Sequence, residues 1–187
     1  MAELATGHLK GVTNGAALVL GSGLGGGIII NGKLFQGSHF QAGELTFLLP
    51  LQMEKLDLSL MQGTTLSAIG LITKVNEILA SLDLKDGLLA FKAINAKKEA
   101  VYPIFETYCR NLAITILNLQ TIFDMETFVL GGGISAQSIL IEEVNRQFDK
   151  VHHEIDFIGK IIKRPKIVAC HHNGTNLIGA AYFLKQG

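Results

Sequence analysis

Two glycine-rich stretches hold most of the chemistry available to this sequence. The first, Gly21-Ser22-Gly23-Leu24-Gly25-Gly26-Gly27, follows the apolar run Ala16–Leu20. The second, Gly131-Gly132-Gly133, follows the apolar run at Thr127–Leu130. Glycine has no Cβ, so backbone N–H groups can approach an anion closely and positive φ is accessible. Ser22 adds a hydroxyl donor to the first stretch. The second lies between a strand pattern and a helix pattern, where exposed N–H groups and the helix dipole favour a phosphate or the adenosine end of a nucleotide. Each stretch taken singly also reads as a tight turn. Placed at strand ends of one sheet, the pair implies one ligand between them. A third candidate is Glu44 in "QAGEL", whose carboxylate could accept two hydrogen bonds from neighbouring sugar hydroxyls in a cleft, and which alone reads as a surface glutamate.

Gly21, Gly23 and Gly26 also fit G-x-G-x-x-G, the dinucleotide fingerprint, which requires a helix directly after the glycines. The sequence supplies "IIING" instead. Three consecutive β-branched isoleucines favour a strand, and Asn31-Gly32 provides the two residues of a type I′ hairpin. The dinucleotide reading therefore fails, and Gly21–Gly27 is expected to join two antiparallel strands.

The elements that must position these residues follow from the apolar pattern. Residues 2–10 read as the end of a short helix, Gly15–Leu20 as a strand, and Lys33–Phe35 as the start of a third strand. Leu66, Ile69, Ile72, Val75, Ile78, Leu79 and Leu82 recur at helical spacing, and a second helix is expected over Leu88 to Ala96. Val101, Ile104, Phe105, Tyr108, Leu112, Ile116, Leu119, Ile122 and Phe123 make one stripe of a helix about twenty-two residues long, with Pro103 in its first turn. Thr127–Leu130 is a buried strand, Ala136 to Phe148 a helix capped by Ser135, Pro165–Cys170 a strand, and "NLIGAAYFLK" a closing helix. Three antiparallel strands, a helical insertion, and then two strands reached through helical crossovers give a mixed five-stranded sheet with its last strands parallel. The fold class is α/β, a ribonuclease-H-like lobe of the actin-like ATPase type. In such lobes a glycine hairpin between the first two strands grips phosphate.

Composition narrows the function classes. Of 187 residues, 48% are hydrophobic and 17% charged, which suits one well-cored domain and excludes disorder. Sixteen basic side chains balance sixteen acidic ones, so no global field draws the chain to nucleic acid or to an anionic membrane. The apolar runs are of strand or helix length, too short to span a bilayer, and "MAELATGHLKG" lacks the flank and apolar core of a signal peptide. Cys109 and Cys170 belong to no C-x-x-C and read as buried thiols of a cytoplasmic protein. His152-His153 and His171-His172-Asn173 invite a metal reading, but adjacent histidines diverge and seldom share an ion, so polar loops are the plainer reading.

On "LVLGSGLGGGIIINGKLFQGSHFQAGE", "FVLGGGIS" and "NLIGAA", in this order and at these separations, the chain resembles the ROK family (repressor, open reading frame, kinase). The likeness runs through most of the chain and is weakest between residues 46 and 97. It implies an ATP-dependent sugar kinase in which ATP and a hexose bind between two lobes and the γ-phosphate passes to a sugar hydroxyl. By the same likeness, residues 1–187 form the C-terminal lobe, with a helical insertion at about 45–97 and the N-terminal lobe absent. Gly21, Ser22 and Gly23 would approach phosphate, Gly131, Gly132 and Gly133 would flank the adenosine, and Glu44 would contact the sugar. Mg²⁺ would accompany ATP. The family's aspartate base would fall just upstream of Met1, so no catalytic residue is expected within the chain. Many members read Gly-Glu-x-Gly-His, with the histidine touching sugar and zinc. Here Thr46 and Phe47 hold the last two places and no cysteine falls in residues 45–97, so no zinc is expected. In place of a later sugar-binding glutamate, "SLMQGTT" offers only Ser59. Two further readings stay open: the sugar-sensing lobe of a ROK-type transcriptional repressor, and a degenerate, non-catalytic member. A homo-oligomer is expected.

Overall fold

The computed structural model describes residues 1–49, 55, 57–154 and 156–171. The expected closing helix, together with His172 and Asn173, lies outside the described residues. Five strands form one sheet: β1 (Gly15–Leu20), β2 (Leu24–Ile30), β3 (Lys33–Phe35), β4 (Thr127–Gly132) and β5 (Lys166–Ala169). Their spatial order is β3-β2-β1-β4-β5, with β1/β2 and β2/β3 antiparallel and β1/β4 and β4/β5 parallel. This is the mixed five-stranded sheet that the sequence implies. Asn31 and Gly32, at φ 53° and 72°, supply the two left-handed residues that a type I′ turn between β2 and β3 demands.

Alternation along β1 divides the core. Ala16, Leu18 and Leu20 face the main cluster, built with the long helix α5 (Tyr102–Phe123) and with α6 (Ser138–His153). Ala17 faces the other side, where Leu9, Ile29 and Val129 form a smaller cluster. Helix α5 exists because its apolar stripe has a receptive sheet face: Phe105, Leu112 and Ile116 are fully buried. Pro103 sits in its first turn, and Asp124 ends it in the left-handed conformation at φ 49°. Gln120 then turns the chain into β4, accepting from Met125 N at 2.9 Å and donating to Lys163 O at 3.1 Å.

Several boundaries differ from the pattern reading. β2 begins at Leu24, so Gly25, Gly26 and Gly27 belong to the ladder opposite Val19, Leu18 and Ala17, and only Gly21–Gly23 form the turn. The helix expected from Leu66 to Leu82 is shorter: α3 spans Ala68–Ile78, capped by the Ser67 hydroxyl, which accepts from Gly70 N at 3.0 Å. It buries Leu71 and Val75 and leaves Ile69 and Ile78 exposed, because the helix turns a narrower face to the core than the repeat of leucine and isoleucine suggests; Leu82, also exposed, lies beyond its end. Asp86 caps α4 (Gly87–Asn95). Helix α6 starts at Ser138, two residues later than expected, and runs on to His153. Ser135 does not cap it, because its hydroxyl donates to Gly132 O at 2.8 Å. Helix α1 (Ala2–Thr6) is briefer than the helix expected within residues 2–10, and two short helices, α2 (Gln62–Thr65) and α7 (Asp156–Ile161), have no periodic signal.

The α5–α6 contact contains a charged network beside its apolar seam. Glu143 is buried and accepts from Tyr102 Oη at 3.1 Å, Arg146 Nε at 2.8 Å and Gln147 Nε2 at 2.6 Å; Arg146 also pairs with Glu106. Burial opposes ionisation of Glu143, but the hydrogen bonds from Arg146, Gln147 and Tyr102 outweigh it and hold the carboxyl below its ordinary 4.5. Burial, followed by the hydrogen bond to Glu143, pushes Tyr102 up to about 12. A lowered carboxyl contributes stability that is complete above its unfolded pKa and is lost as pH falls through the folded one. A raised phenol contributes stability that is complete below its ordinary 10.0 and is lost as pH climbs through about 12. We expect Glu143→Ala to cost about 2 kcal/mol at neutral pH, less than a fully buried pair because Arg146 is partly exposed. Glu143→Gln should flatten the loss of stability below the ordinary carboxylate range, and Tyr102→Phe the loss above pH 10. Denaturant titrations across pH read all three.

Candidate functional site at the glycine edge of the sheet

The parallel register of β1 and β4 places the two glycine stretches side by side. Val19 is opposite Gly131 and Leu20 opposite Gly132, so the Gly21–Gly23 turn leaves the sheet next to Gly133. Both therefore lie at the carboxyl ends of adjacent strands, the edge where open α/β sheets bind ligands. The approach of the two backbones is close. Gly132 adopts φ 101°, and a Cβ there would lie 2.1 Å from Leu20 O, which only glycine avoids. Beyond Gly132 the chain folds back, with both Ser135 N and Ser135 Oγ donating to Gly132 O.

The turn is held from two sides. Gly21 N donates to Gly23 O at 3.1 Å, and Gly21 O accepts from Ala68 N at 2.8 Å, which ties the first turn of α3 to the hairpin. The N–H groups of Ser22, Gly23 and Gly133 donate to no described residue. At Gly21 and Gly133 an added Cβ would meet nothing within 4 Å. The turns at Gly21 and Gly133 thus adjoin open space on the two sides of the β1–β4 seam, beside N–H groups that have no partner among the described residues. A cavity of about 520 Å³ adjoins the hairpin, bounded by Gly21, Ser22 and Gly23 on one side and by Thr46, Gly63 and Thr64 on the other. Thr46 stands in the sequence only as a departure from Gly-Glu-x-Gly-His, and Gly63 and Thr64 only as part of "SLMQGTT", so neither context marks them as walls of this cavity.

Glu44 is exposed and leads into a 3-10 turn at Leu45–Phe47. Its loop is laid against β2: Gly43 has φ 90°, and a Cβ on it would stand 2.6 Å from Gly26 O. This explains Gly26 inside β2, since a Cβ on it would stand 2.7 Å from Gly43 O, where the loop's backbone passes. The structure brings Glu44's loop to β2 and the two glycine turns to one edge. Phe47 is exposed, and Ser59 Oγ is engaged with Asp57 Oδ1 at 2.7 Å.

The remaining sequence candidates are placed elsewhere or have local partners. Cys109 is buried in the core, and burial pushes its thiol pKa up; Cys170 is half-buried, with its Sγ 3.6 Å from Ser135 Oγ, and the two are not joined in a disulfide. His152 Nε2 lies 2.6 Å from Ile162 O, and His153 Nδ1 lies 2.7 Å from Asp149 O. His171 N donates to Glu3 Oε1 at 2.8 Å. Among the described residues there is no group of three or more His, Cys, Asp or Glu side chains placed to hold a metal. No described helix is long and apolar enough to cross a membrane.

A mixed five-stranded sheet with helices and a glycine-lined strand edge is the fold of the actin-like ATPase class. A family model described as ROK family matches residues 1–187, and the chain belongs to that family. It is 27% identical over 193 residues to an N-acetyl-D-glucosamine kinase of Vibrio atlanticus, covering 95% of this chain and 60% of the relative. It is 26% identical over 189 residues to a beta-glucoside kinase of Klebsiella pneumoniae, covering 100% of this chain and 60% of that one. A ROK family glucokinase from Streptomyces griseus, solved in complex with glucose and AMPPNP, superposes with a TM-score of 0.82 at 23% identity, over 100% of this chain and 65% of that one, and shows the shared fold. The chain thus spans about 60% of the length of these curated kinases.

The two neighbouring glycines should respond oppositely to a methyl group. Gly132→Ala should destabilise the protein by at least about 3 kcal/mol, because the new Cβ meets backbone in a positive-φ position. Gly133→Ala, which projects into open space, should stay within about 1 kcal/mol of the wild type. Urea unfolding of the two variants makes the comparison.

Proposed function

We propose that this chain is the C-terminal lobe of an ATP-dependent hexose kinase of the ROK family, with its helical insertion at about residues 45–97. One observation carries the proposal: the β1–β4 register sets Leu20 against Gly132, which brings the two glycine turns to one edge of the sheet, where the N–H groups of Ser22, Gly23 and Gly133 have no partner among the described residues. Similarity to curated sugar kinases along nearly the whole chain supports the reaction class.

In this reading Gly21, Ser22 and Gly23 hold the nucleotide phosphates through backbone donors and the Ser22 hydroxyl. Gly131, Gly132 and Gly133 flank the adenosine. Glu44 accepts hydrogen bonds from sugar hydroxyls and fixes which oxygen faces the γ-phosphate. When bound with ATP, Mg²⁺ neutralises charge on the transferred group. The chain's own contribution is positioning, which can lower a phosphoryl-transfer barrier substantially when nucleophile and phosphorus are held in line. The proton on the sugar hydroxyl goes to the aspartate expected upstream of Met1, outside these residues.

Three measurements test the reading. Mg·ADP should raise the thermal midpoint of the 187-residue chain, by the equivalent of about 2.7 kcal/mol at a hundredfold excess over Kd. The chain alone should phosphorylate no hexose. In a protein carrying both lobes, Glu44→Ala should raise the KM for hexose at least about tenfold while leaving the KM for ATP within about twofold. A midpoint unmoved by Mg·ADP counts against the phosphate assignment, and turnover by the chain alone against the missing base. A response to hexose without any response to nucleotide points to a sugar-sensing lobe.

A further inference from the structure

The Glu44 loop and the phosphate-facing turn are joined by one hydroxyl group. Thr46 Oγ1 donates to Leu24 O at 3.0 Å and accepts from Leu24 N at 3.3 Å. Leu24 is the first residue of β2 and the last rung of the β1–β2 ladder, opposite Leu20. The hydroxyl therefore satisfies both polar groups of the residue at which the Gly21–Gly23 turn re-enters the sheet. A single side-chain oxygen can do this only because a hydroxyl is donor and acceptor at once.

Close packing surrounds that contact. A Cβ on Gly23 would lie 3.0 Å from Thr46 Oγ1, and one on Gly63 would lie 2.6 Å from Thr46 Cγ2. Thr46 is thus held between the turn and the segment leading into α3, with its hydroxyl on the turn and its methyl on Gly63. Three residues along the same loop, Gly43 rests on Gly26. The loop is consequently fastened to β2 at two points, with Glu44 between them. Neither the apolar pattern nor the glycine motifs indicates this role for Thr46.

We propose that Thr46 is a positioning residue: through Leu24 it holds the Gly21–Gly23 turn in its phosphate-accepting shape and makes the turn and the Glu44 loop move as one body. The proposal rests on the reading of the turn as a phosphate site. Phosphate bound at the turn then restricts the loop that meets the sugar, and a sugar held by the loop restricts the turn.

The test uses the full 187-residue chain and two variants. Thr46→Val keeps the branched shape and the contact with Gly63 but loses both hydrogen bonds. Thr46→Ser keeps the hydroxyl and loses the methyl. Hydrogen exchange at the Leu24 amide and across residues 45–48 should accelerate about tenfold in Thr46→Val, with both regions moving together, and should stay within about twofold of wild type in Thr46→Ser. The affinity for Mg·ADP should fall about five- to tenfold in Thr46→Val and be restored in Thr46→Ser. Wild-type exchange at Leu24 in the Val variant overturns the proposal, and so does acceleration at Leu24 that leaves residues 45–48 unchanged. If the Ser variant loses as much affinity as the Val variant, packing rather than the hydroxyl is responsible and the proposal also falls. If the wild-type chain binds no Mg·ADP, the phosphate reading fails, and the exchange measurements alone decide whether Thr46 joins the loop to the turn.

Discussion

The parallel pairing of β1 with β4 is the constraint on which the rest of the structure depends. Antiparallel neighbours can be joined by two residues, as β2 and β3 are, but parallel strands require a long connection that returns over the sheet. Between Leu20 and Thr127 the chain makes that return through β2, β3, the helices α2, α3 and α4, and α5. The pairing also runs to the end of both strands, where Gly132 sits against Leu20 with no room for a side chain. Nothing else in the described fold brings the two glycine stretches together. With the register shifted by one residue, the inward set of β4 would face outward and the core and the edge would be lost together.

The same pairing explains why the molecule separates its chemistry from its stability. The apolar layer lies beneath the sheet, where Phe105, Leu112, Ile116, Phe128 and Phe148 are fully buried between β-strands and helices. Two buried carboxylates have specific partners. Glu143 is met by Tyr102, Arg146 and Gln147, and Glu3, also buried, accepts from the N–H groups of His8 and His171 at 2.9 and 2.8 Å. At the glycine edge the opposite holds: the N–H groups of Ser22, Gly23 and Gly133 have no partner among the described residues. A backbone donor that folding does not satisfy remains available to a ligand, and it needs no reorganisation to bind one.

Much of this was legible before any coordinates. The triple isoleucine and Asn31-Gly32 specify a hairpin because β-branching and positive φ are local properties of the chain. The stripe from Val101 to Phe123 specifies a long helix because the 3.6-residue period is written directly in the apolar positions, although Ile122 near its end is exposed. The glycine stretches could be identified as anion-binding candidates from the chemistry of glycine. Local chemistry was less reliable where two partners compete for one group. Ser135 has the residue type of a helix cap, but the nearby Gly132 carbonyl takes its hydroxyl. Ile69 and Ile78 fit the helical period of α3 and are nevertheless exposed, because the core meets that helix through Leu71 and Val75.

The sequence by itself therefore determined the element types, the hairpin, the long helix and the residue chemistry of the glycine turns, since each depends on interactions within a few residues along the chain. Tertiary structure decided which turns share an edge, which face of α3 is buried, and that Gly43 and Thr46 rest on β2. Those outcomes depend on contacts between residues about twenty to more than a hundred positions apart, whose distances and partners are set only when the sheet closes in register.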